Sequence, residues 1–432
     1  MCIPLMSKRI VMLIVLAVGL SACGAPHPTP TLTPTLTPEP IIPTFTPEPG
    51  EPLAPDTGRR TLNLWLVEPL ARGGQIPVAL LEQLQVFRAE HADLDIDVRV
   101  KLAEGVDGIL PVLRSTASVA PGAMPDLLLL SRPDLVSAWN DSLIQSLTAL
   151  PEETTSGMFA VAEAMVTFED GVYGIPYLLD TQHLIYRETA FEQAPTTFED
   201  MLDAPAPYLF PAGSGLTVLG QYLAEGSPLI DGAGAAALNM DALLVVLNFY
   251  AAGVEAQMIQ SALLEYTDSE DYFGDFLNGQ ASLVNVNVTT YLQHRRELPD
   301  DTAVAPIPAR RGPSVPVITG WSWAMVTADP DRQELVLELL TWLMRPENLA
   351  AFSREVGMLP AQRPALQIWG NDPYNSFAEA LLGGAEAVPA PAGVEELTAA
   401  RVLQEAMRSM LLEMQTPVQA AEDAIEAIAD GE

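Results

Sequence analysis

Between residues 61 and 130 the chain alternates between two hydrophobic periods, and that alternation restricts its fold more than any other feature. "TLNLWLVE" (61–68) reads as a strand. "PVALLEQLQVFRAE" (77–90) places Leu80, Leu84 and Phe87 on one helical face, with Pro77 suited to the first turn. "DLDIDVRV" (93–100) alternates apolar and polar residues, as a half-buried strand does. "PDLLLL" (125–130) is a continuous apolar run, the pattern of a central strand covered on both faces. Strand, helix, strand, helix, strand at this spacing is a βαβ series, and it predicts a mostly parallel sheet flanked by helices.

The rest of the folded region follows with different signals. In "VTFEDGVYGIPYLLDTQHLIYR" (166–187), Asp170-Gly171 marks a hairpin turn between two β-rich arms. Helices are predicted over 241–253, ending on Gly253 as a cap, and over 271–279, ending on Gly279. "ASLVNVNV" (281–288), "AVAPIP" and "TGWSWAMV" (319–326) read as extended segments. The tail is helical over 331–344, 346–357 and two further stretches between Glu395 and Ala429. Residues 57–432 are enough for two lobes with real cores.

The first 56 residues are of another kind. Lys8 and Arg9 precede an apolar run of 11 residues, Ile10 to Leu20, which has the length of a secretory h-region and is short of the ~20 residues that span a bilayer. It ends in Leu20-Ser21-Ala22-Cys23, which resembles the bacterial lipobox. That resemblance implies a lipoprotein signal peptide over 1–22 and a lipid on Cys23 that anchors the chain. The plainer alternative is an ordinary cleaved signal, or an uncleaved anchor, with an incidental cysteine. From Gly24 to Asp56 prolines recur every two to four residues. Proline fixes φ and removes donors, so polyproline II is the default, and residues 23–56 read as an extended Pro/Thr-rich stalk.

Charge and composition exclude several functions. The formal net charge is −35, and Lys8 and Lys101 are the only lysines. Nucleic acid is a poor partner for such a surface, because neutralising phosphates needs a basic one. Besides Cys23 the only cysteine is Cys2, within the signal, so the folded part has no disulfide or thiol chemistry. His27, His91, His183 and His294 stand alone, without metal-ligand spacing. The triplet Asp93, Asp95, Asp97 alternates with apolar residues and reads as the solvated face of a strand rather than a calcium site. No metal, cofactor or catalytic constellation is indicated, and the chain reads as a non-enzyme.

Several motifs occur in an order that is similar to the extracellular solute-binding proteins of ABC importers, family 1, the group that includes maltose-binding protein. These are "LNLW" with its helix and the "DIDVRV" strand, "MPDLLLLS", "DGVYGIPYLLDTQHLIYRETAF", "FLNGQASLV", and "GWSWAMV" followed by "WLMRPENLAAFSREVGMLPAQRPAL". Residues 205–235 depart from the pattern. The resemblance implies an α/β, two-lobed periplasmic-binding-protein-like fold in its lipoprotein form, with hinge strands joining the lobes. Lobe 1 would comprise 57–180 plus 301–328, and lobe 2 would comprise 181–300 plus 329–432.

That resemblance also implies a function. The chain would be a monomeric, lipid-anchored extracytoplasmic receptor on the bacterial cell membrane. It would bind a small solute, a carbohydrate ahead of a polyamine, by hinge closure and hand it to permease subunits. Two other classes stay open: an anchored sensor or adhesion module with the same fold, and a secreted hydrolase using Glu68 with Asp180. Sugars present C–H faces and hydroxyl rims, so aromatic platforms and polar side chains at strand ends are the candidate ligand residues. These are Trp65 and Glu68 on the first strand, Ser131 and Arg132 after "PDLLLL", Tyr177 and Asp180 after "GIPY", Asn285 and Asn287, and Trp321 and Trp323. Trp342 and Trp369 are assigned to packing.

Overall fold

The computed structural model describes residues 60–431, apart from positions 148, 170, 204 and 205. The signal run, Cys23 and the stalk lie outside the described residues.

The opening strands form where the periodicity puts them. β1 (Arg60–Val67), β2 (Leu94–Lys101) and β3 (Leu127–Ser131) are linked by α1 (Val78–Glu90) and α2 (Ile109–Val119). β1 pairs in parallel with both β2 and β3. It is therefore an inner strand, and Leu64, Trp65, Leu66 and Val67 are all buried. α3 (Arg132–Asn140) starts directly at the end of β3, and α4 (Ala160–Val166) leads into a short hairpin, Thr167–Phe168 with Gly171–Val172. Gly171 pairs with Phe168 in this hairpin and Glu169 has a φ of 48°, while Asp170 of the expected Asp170-Gly171 turn lies outside the described residues.

β4 (Ile175–Asp180) and β5 (Gln182–Arg187) are separated by Thr181 alone, yet they belong to different sheets. The second sheet also takes β6 (Tyr208–Leu209), β7 (Leu283–Asn287) and β8 (Thr302–Ala305). Its helices include α5 (Leu216–Leu223), α6 (Met240–Glu255) and α7 (Val288–His294). The chain then returns as β9 (Val317–Met325), followed by α8 (Pro330–Leu343), α9 (Pro346–Val356), β10 (Leu359–Pro360), α10 (Arg363–Ile368) and α11 (Pro373–Gly383). β11 (Val388–Pro389) leads into α12 (Val394–Leu411) and α13 (Pro417–Asp430).

The large sheet runs β10-β4-β9-β3-β1-β2 with β11 beside β9, and the small sheet runs β8-β5-β7-β6. Both are mixed, so the parallel pattern of the first three strands does not extend to the rest. The reason is the route of the chain: β9 returns from the small sheet and inserts between β3 and β4, antiparallel to both.

The tail divides between the lobes instead of lying wholly on the second, as residues 329–432 were expected to do. β10 hydrogen-bonds to β4, which pins the helices around it to the large sheet. Trp342 Nε1 donates to the Gln83 carbonyl (3.0 Å) and Gln83 Nε2 to that of Asn348 (2.8 Å), tying α8 and α9 to α1. Trp369 Nε1 donates to Ala350 (3.2 Å), so both tryptophans assigned to packing do pack. Only α12 and α13 join the other core, where Leu403, Met407 and Ala421 pack with Leu243, Val246 and Tyr250. One predicted cap also moves. α6 continues through Gly253 to Glu255, and a Cβ at 253 would meet Ile259 Cδ1 at 2.7 Å. The glycine is there for packing.

Candidate functional site

Three stretches cross between the sheets: β4 to β5, β8 to β9, and α11 to α12. They lie side by side. Thr181 Oγ1 donates to the Val317 carbonyl (3.0 Å), and Ala390 N donates to Ile318 (2.8 Å). Beside them opens a cavity of about 530 Å³ that both lobes line. The large-sheet lobe contributes Glu104, Ser131, Arg132, Pro133, Thr319 and Gly320; the other contributes Ser214 to Leu216, Leu219, Leu397, Ala400, Arg401 and Gln404. Ala390 and Pro391 of the third crossing complete it. The position is the one strand topology favours, at the carboxyl end of β3 where the connection reverses.

Local sequence builds the cavity wall. Ser131 caps α3, its Oγ accepting from Asp134 N (3.3 Å) and donating to Asp134 Oδ2 (2.9 Å). Burial raises the Asp134 carboxyl above its ordinary value, a shift that the Ser131 hydroxyl opposes. Arg132, at the first helical position, turns back across the cleft. Its Nη1 donates to the Ala390 carbonyl and lies 3.3 Å from Glu396 Oε2, while its buried Nε has no protein partner among the described residues. Burial pushes the Glu396 carboxyl up, but the Ala392 N–H, the Arg132 charge and the Gly393 N–H outweigh it and hold the group below its usual range. On the opposite wall α5 begins at Gly215, whose φ of 72° is left-handed and suits glycine. Gln404 Nε2 donates to the Gly213 carbonyl (2.6 Å), fixing that turn against α12.

Two lobes, three crossings and a cleft between them are the architecture of a clamp, and the sequence comparison agrees. Residues 85–375 match the family model described as bacterial extracellular solute-binding protein. The chain belongs to this family. No curated protein matches it in sequence. Solved structures share the fold at low identity. The sugar-binding protein MalE of Xanthomonas citri superposes with a TM-score of 0.72 at 16% identity, covering 86% of this chain and 97% of that one. The cyclic α-maltosyl-1,6-maltose binding protein of Arthrobacter globiformis gives 0.69 at 16%, covering 86% and 98%. The maltose complex of MalE from Listeria monocytogenes gives 0.67 at 15%, covering 86% and 97%.

Of the residues nominated in this solute-binding protein, Ser131 and Arg132 line the cleft and the others do not. Trp65 lies inside β1 rather than at its end, is 2% exposed, and has Lys101 Nζ 4.5 Å from its ring centroid. Glu68 opens the turn after β1 and is exposed. Tyr177 and Trp323 are fully buried, 5.7 Å apart between ring centroids, and belong to the large-sheet core. Trp321 is half-buried, sits opposite Ser131 in register and packs on the same core. The alternation that puts Trp321 and Trp323 on one face thus describes the packed face.

Asp180, Asn285 and Asn287 are structural around the crossing. Asp180 accepts from Thr181 N (2.8 Å), Thr289 N (3.2 Å) and Thr289 Oγ1 (2.7 Å), capping the start of α7 from another strand. Burial pushes its carboxyl up to about 6, against the pull of the Thr289 hydroxyl and N–H. Asn285, buried, donates to Thr217 Oγ1 (3.2 Å), and Asn287 donates to Asp268 (2.8 Å). His183, also on the crossing, is a core residue beside Tyr291, Tyr374 and Phe377, and burial lowers its pKa to about 4.

The sequence reading missed the second wall. Ser214, Gly215 and Leu216 lie in the stretch that departs from the family pattern, and "SG" before "LTVLGQYL" is the local signal of a capped helix start. Arg401 and Gln404 belong to a predicted tail helix, but nothing local shows that this helix faces the cleft.

Proposed function

We propose that the chain is a lipid-anchored extracytoplasmic receptor that binds a sugar of the maltodextrin kind in the interlobe cleft. It closes about the three crossings and delivers the solute to an ABC importer permease, without catalysis or a cofactor. The observation that carries this is the cleft, about 530 Å³ and lined from both lobes, because only a solute touching both walls favours closure. Leu216, Leu219, Leu397, Ala400 and Pro133 offer apolar surface to sugar C–H faces. Arg132, Arg401, Gln404 and Glu104 offer donors and acceptors to hydroxyl rims. The neighbours of the same fold include proteins named for maltose and related sugars. Among the described residues Glu104 is the one carboxylate in the lining, too few for the several ammonium groups of a polyamine, despite the acidic surface.

Anchoring rests on the lipobox-like Leu20-Ser21-Ala22-Cys23 and the proline stalk. No helix among the described residues is long and apolar enough to cross a membrane. The test is calorimetric titration of the full chain with maltose, maltotetraose, spermidine and amino acids. The proposal expects one-to-one binding of a maltodextrin and none of spermidine. Binding of spermidine alone would overturn the sugar assignment, and hydrolysis of the added sugar would overturn the receptor reading.

A further inference from the structure

A second cavity, of about 460 Å³, shares no lining residue with the sugar cleft and differs from it in chemistry. Four arginines line it: Arg72, Arg295, Arg296 and Arg354. In a chain with 21 basic side chains against 56 acidic ones, that convergence needs a cause. Ion pairing within the protein accounts for only part of it. Both oxygens of Asp372 are taken by Arg295 Nη2 (2.6 and 2.7 Å). Both oxygens of Glu355 accept instead from the backbone N–H groups of Val78 (2.8 Å) and Ala79 (2.7 Å) at the start of α1, so Glu355 forms no ion pair with an arginine, and its one charge with that of Asp372 leaves the four guanidinium groups in excess. Arg354 leans over the Trp369 ring, 5.9 Å from its centroid, and donates to the Ile368 carbonyl (3.2 Å). Arg72 and Arg296 have no carboxylate partner among the described residues. The lining therefore carries more guanidinium charge than the local carboxylates balance.

We infer that this cavity is a binding site for a small soluble oxyanion, a phosphate or sulfate group, held by Arg72, Arg296 and Arg354. A guanidinium presents planar, paired donors that match tetrahedral oxyanions, and such charge-assisted contacts are among the strongest hydrogen bonds. The two sides of the site come from different lobes. Arg295 and Arg296 follow α7, which continues directly from the small-sheet strand β7, whereas Arg72 follows β1 and Arg354 belongs to α9. A bound anion therefore bridges the lobes away from the sugar. The source is a free anion, not a phospholipid headgroup, because a net charge of −35 repels an anionic bilayer.

The test is titration of the full chain with inorganic phosphate and with sulfate, in low salt and without sugar, followed by calorimetry and by thermal midpoint. The inference expects saturable one-to-one binding and a midpoint that rises with phosphate. In R72Q/R296Q the affinity falls at least about tenfold, in each single variant by less, and in the cleft variant R401Q not at all. Both substituted side chains are exposed, so the double variant keeps its midpoint in the absence of phosphate. Equal phosphate affinity in wild type and R72Q/R296Q would overturn the inference, as would absence of saturable binding in wild type. Binding to anionic vesicles without binding to free phosphate would also overturn it. None of these outcomes depends on the sugar.

Discussion

Arg132 and Glu396 pair across the cleft, Nη1 to Oε2 at 3.3 Å, joining the end of β3 to the start of α12. Their side chains are 12% and 30% exposed, so the pair is shielded enough to matter, and the same arginine holds the third crossing through Ala390. Removing one partner leaves the other poorly compensated. A double-mutant cycle of R132A and E396A should give a coupling of about 1–3 kcal/mol in urea unfolding. R132A should also weaken maltotetraose binding at least about tenfold, since its side chain lines the cleft and holds the third crossing beside it. Because the Glu396 carboxyl is held below its usual range, its contribution is present above its unfolded value of 4.5. It is lost as pH falls through the folded value.

Gly320 sits on β9 where it lines the cleft and meets β4. A Cβ there would fall 2.1 Å from the Leu178 carbonyl oxygen, a backbone atom that cannot move without breaking the strand pairing. G320A should destabilise the protein by on the order of 3 kcal/mol, measured by urea unfolding. A neutral result would show that β4 and β9 can separate at this point.

Trp323 and Tyr177 are core residues, and their substitution should behave accordingly. W323A should cost about 3–5 kcal/mol in unfolding free energy. The sugar affinity of the folded fraction should stay within about twofold of wild type. A large loss of affinity with stability intact would return Trp323 to the binding site.

Asp180 and His183 stand three residues apart on the β4–β5 crossing and respond to pH in opposite senses. The Asp180 carboxyl rises from 3.8 to about 6 in the fold, so its contribution to stability is present below the unfolded value and lost as pH rises through about 6. His183 falls from 6.5 to about 4, so its contribution is present above 6.5 and lost as pH falls through about 4. Urea unfolding at pH 4.5 and 7.5 separates them. Relative to D180N, wild type should be about 2 kcal/mol better placed at pH 4.5 than at 7.5. Relative to H183Q the change should have the opposite sign and similar size.

What was legible in the sequence follows from how local each signal is. β1, β2, β3 and α1 are written in periodicity, because each buries a face against a near neighbour, and they appear within a residue or two of the predicted bounds. "PDLLLLSRP" carried Ser131 and Arg132 into the cleft for the same reason, since a buried strand must end where the sheet ends. The tryptophans misled because alternation reports which residues share a face without reporting what covers it. For Trp323 the cover includes Tyr177, which in turn packs on Phe352, both contributed by distant segments. The opposite cleft wall depends on Gln404 meeting the Gly213 turn across 191 residues, and the placement of α8 to α11 on β10 pairing with β4 across some 180, and no local pattern encodes either.

Hydrogen–deuterium exchange of the full chain with and without saturating maltotetraose tests the central claim most directly. The account predicts slower exchange on both walls together, at residues 128–135 of one lobe and at 214–220 and 397–404 of the other. The exposed outer faces of α2 and α13 should be unchanged. Protection confined to one lobe, or appearing away from these segments, would contradict binding between the lobes.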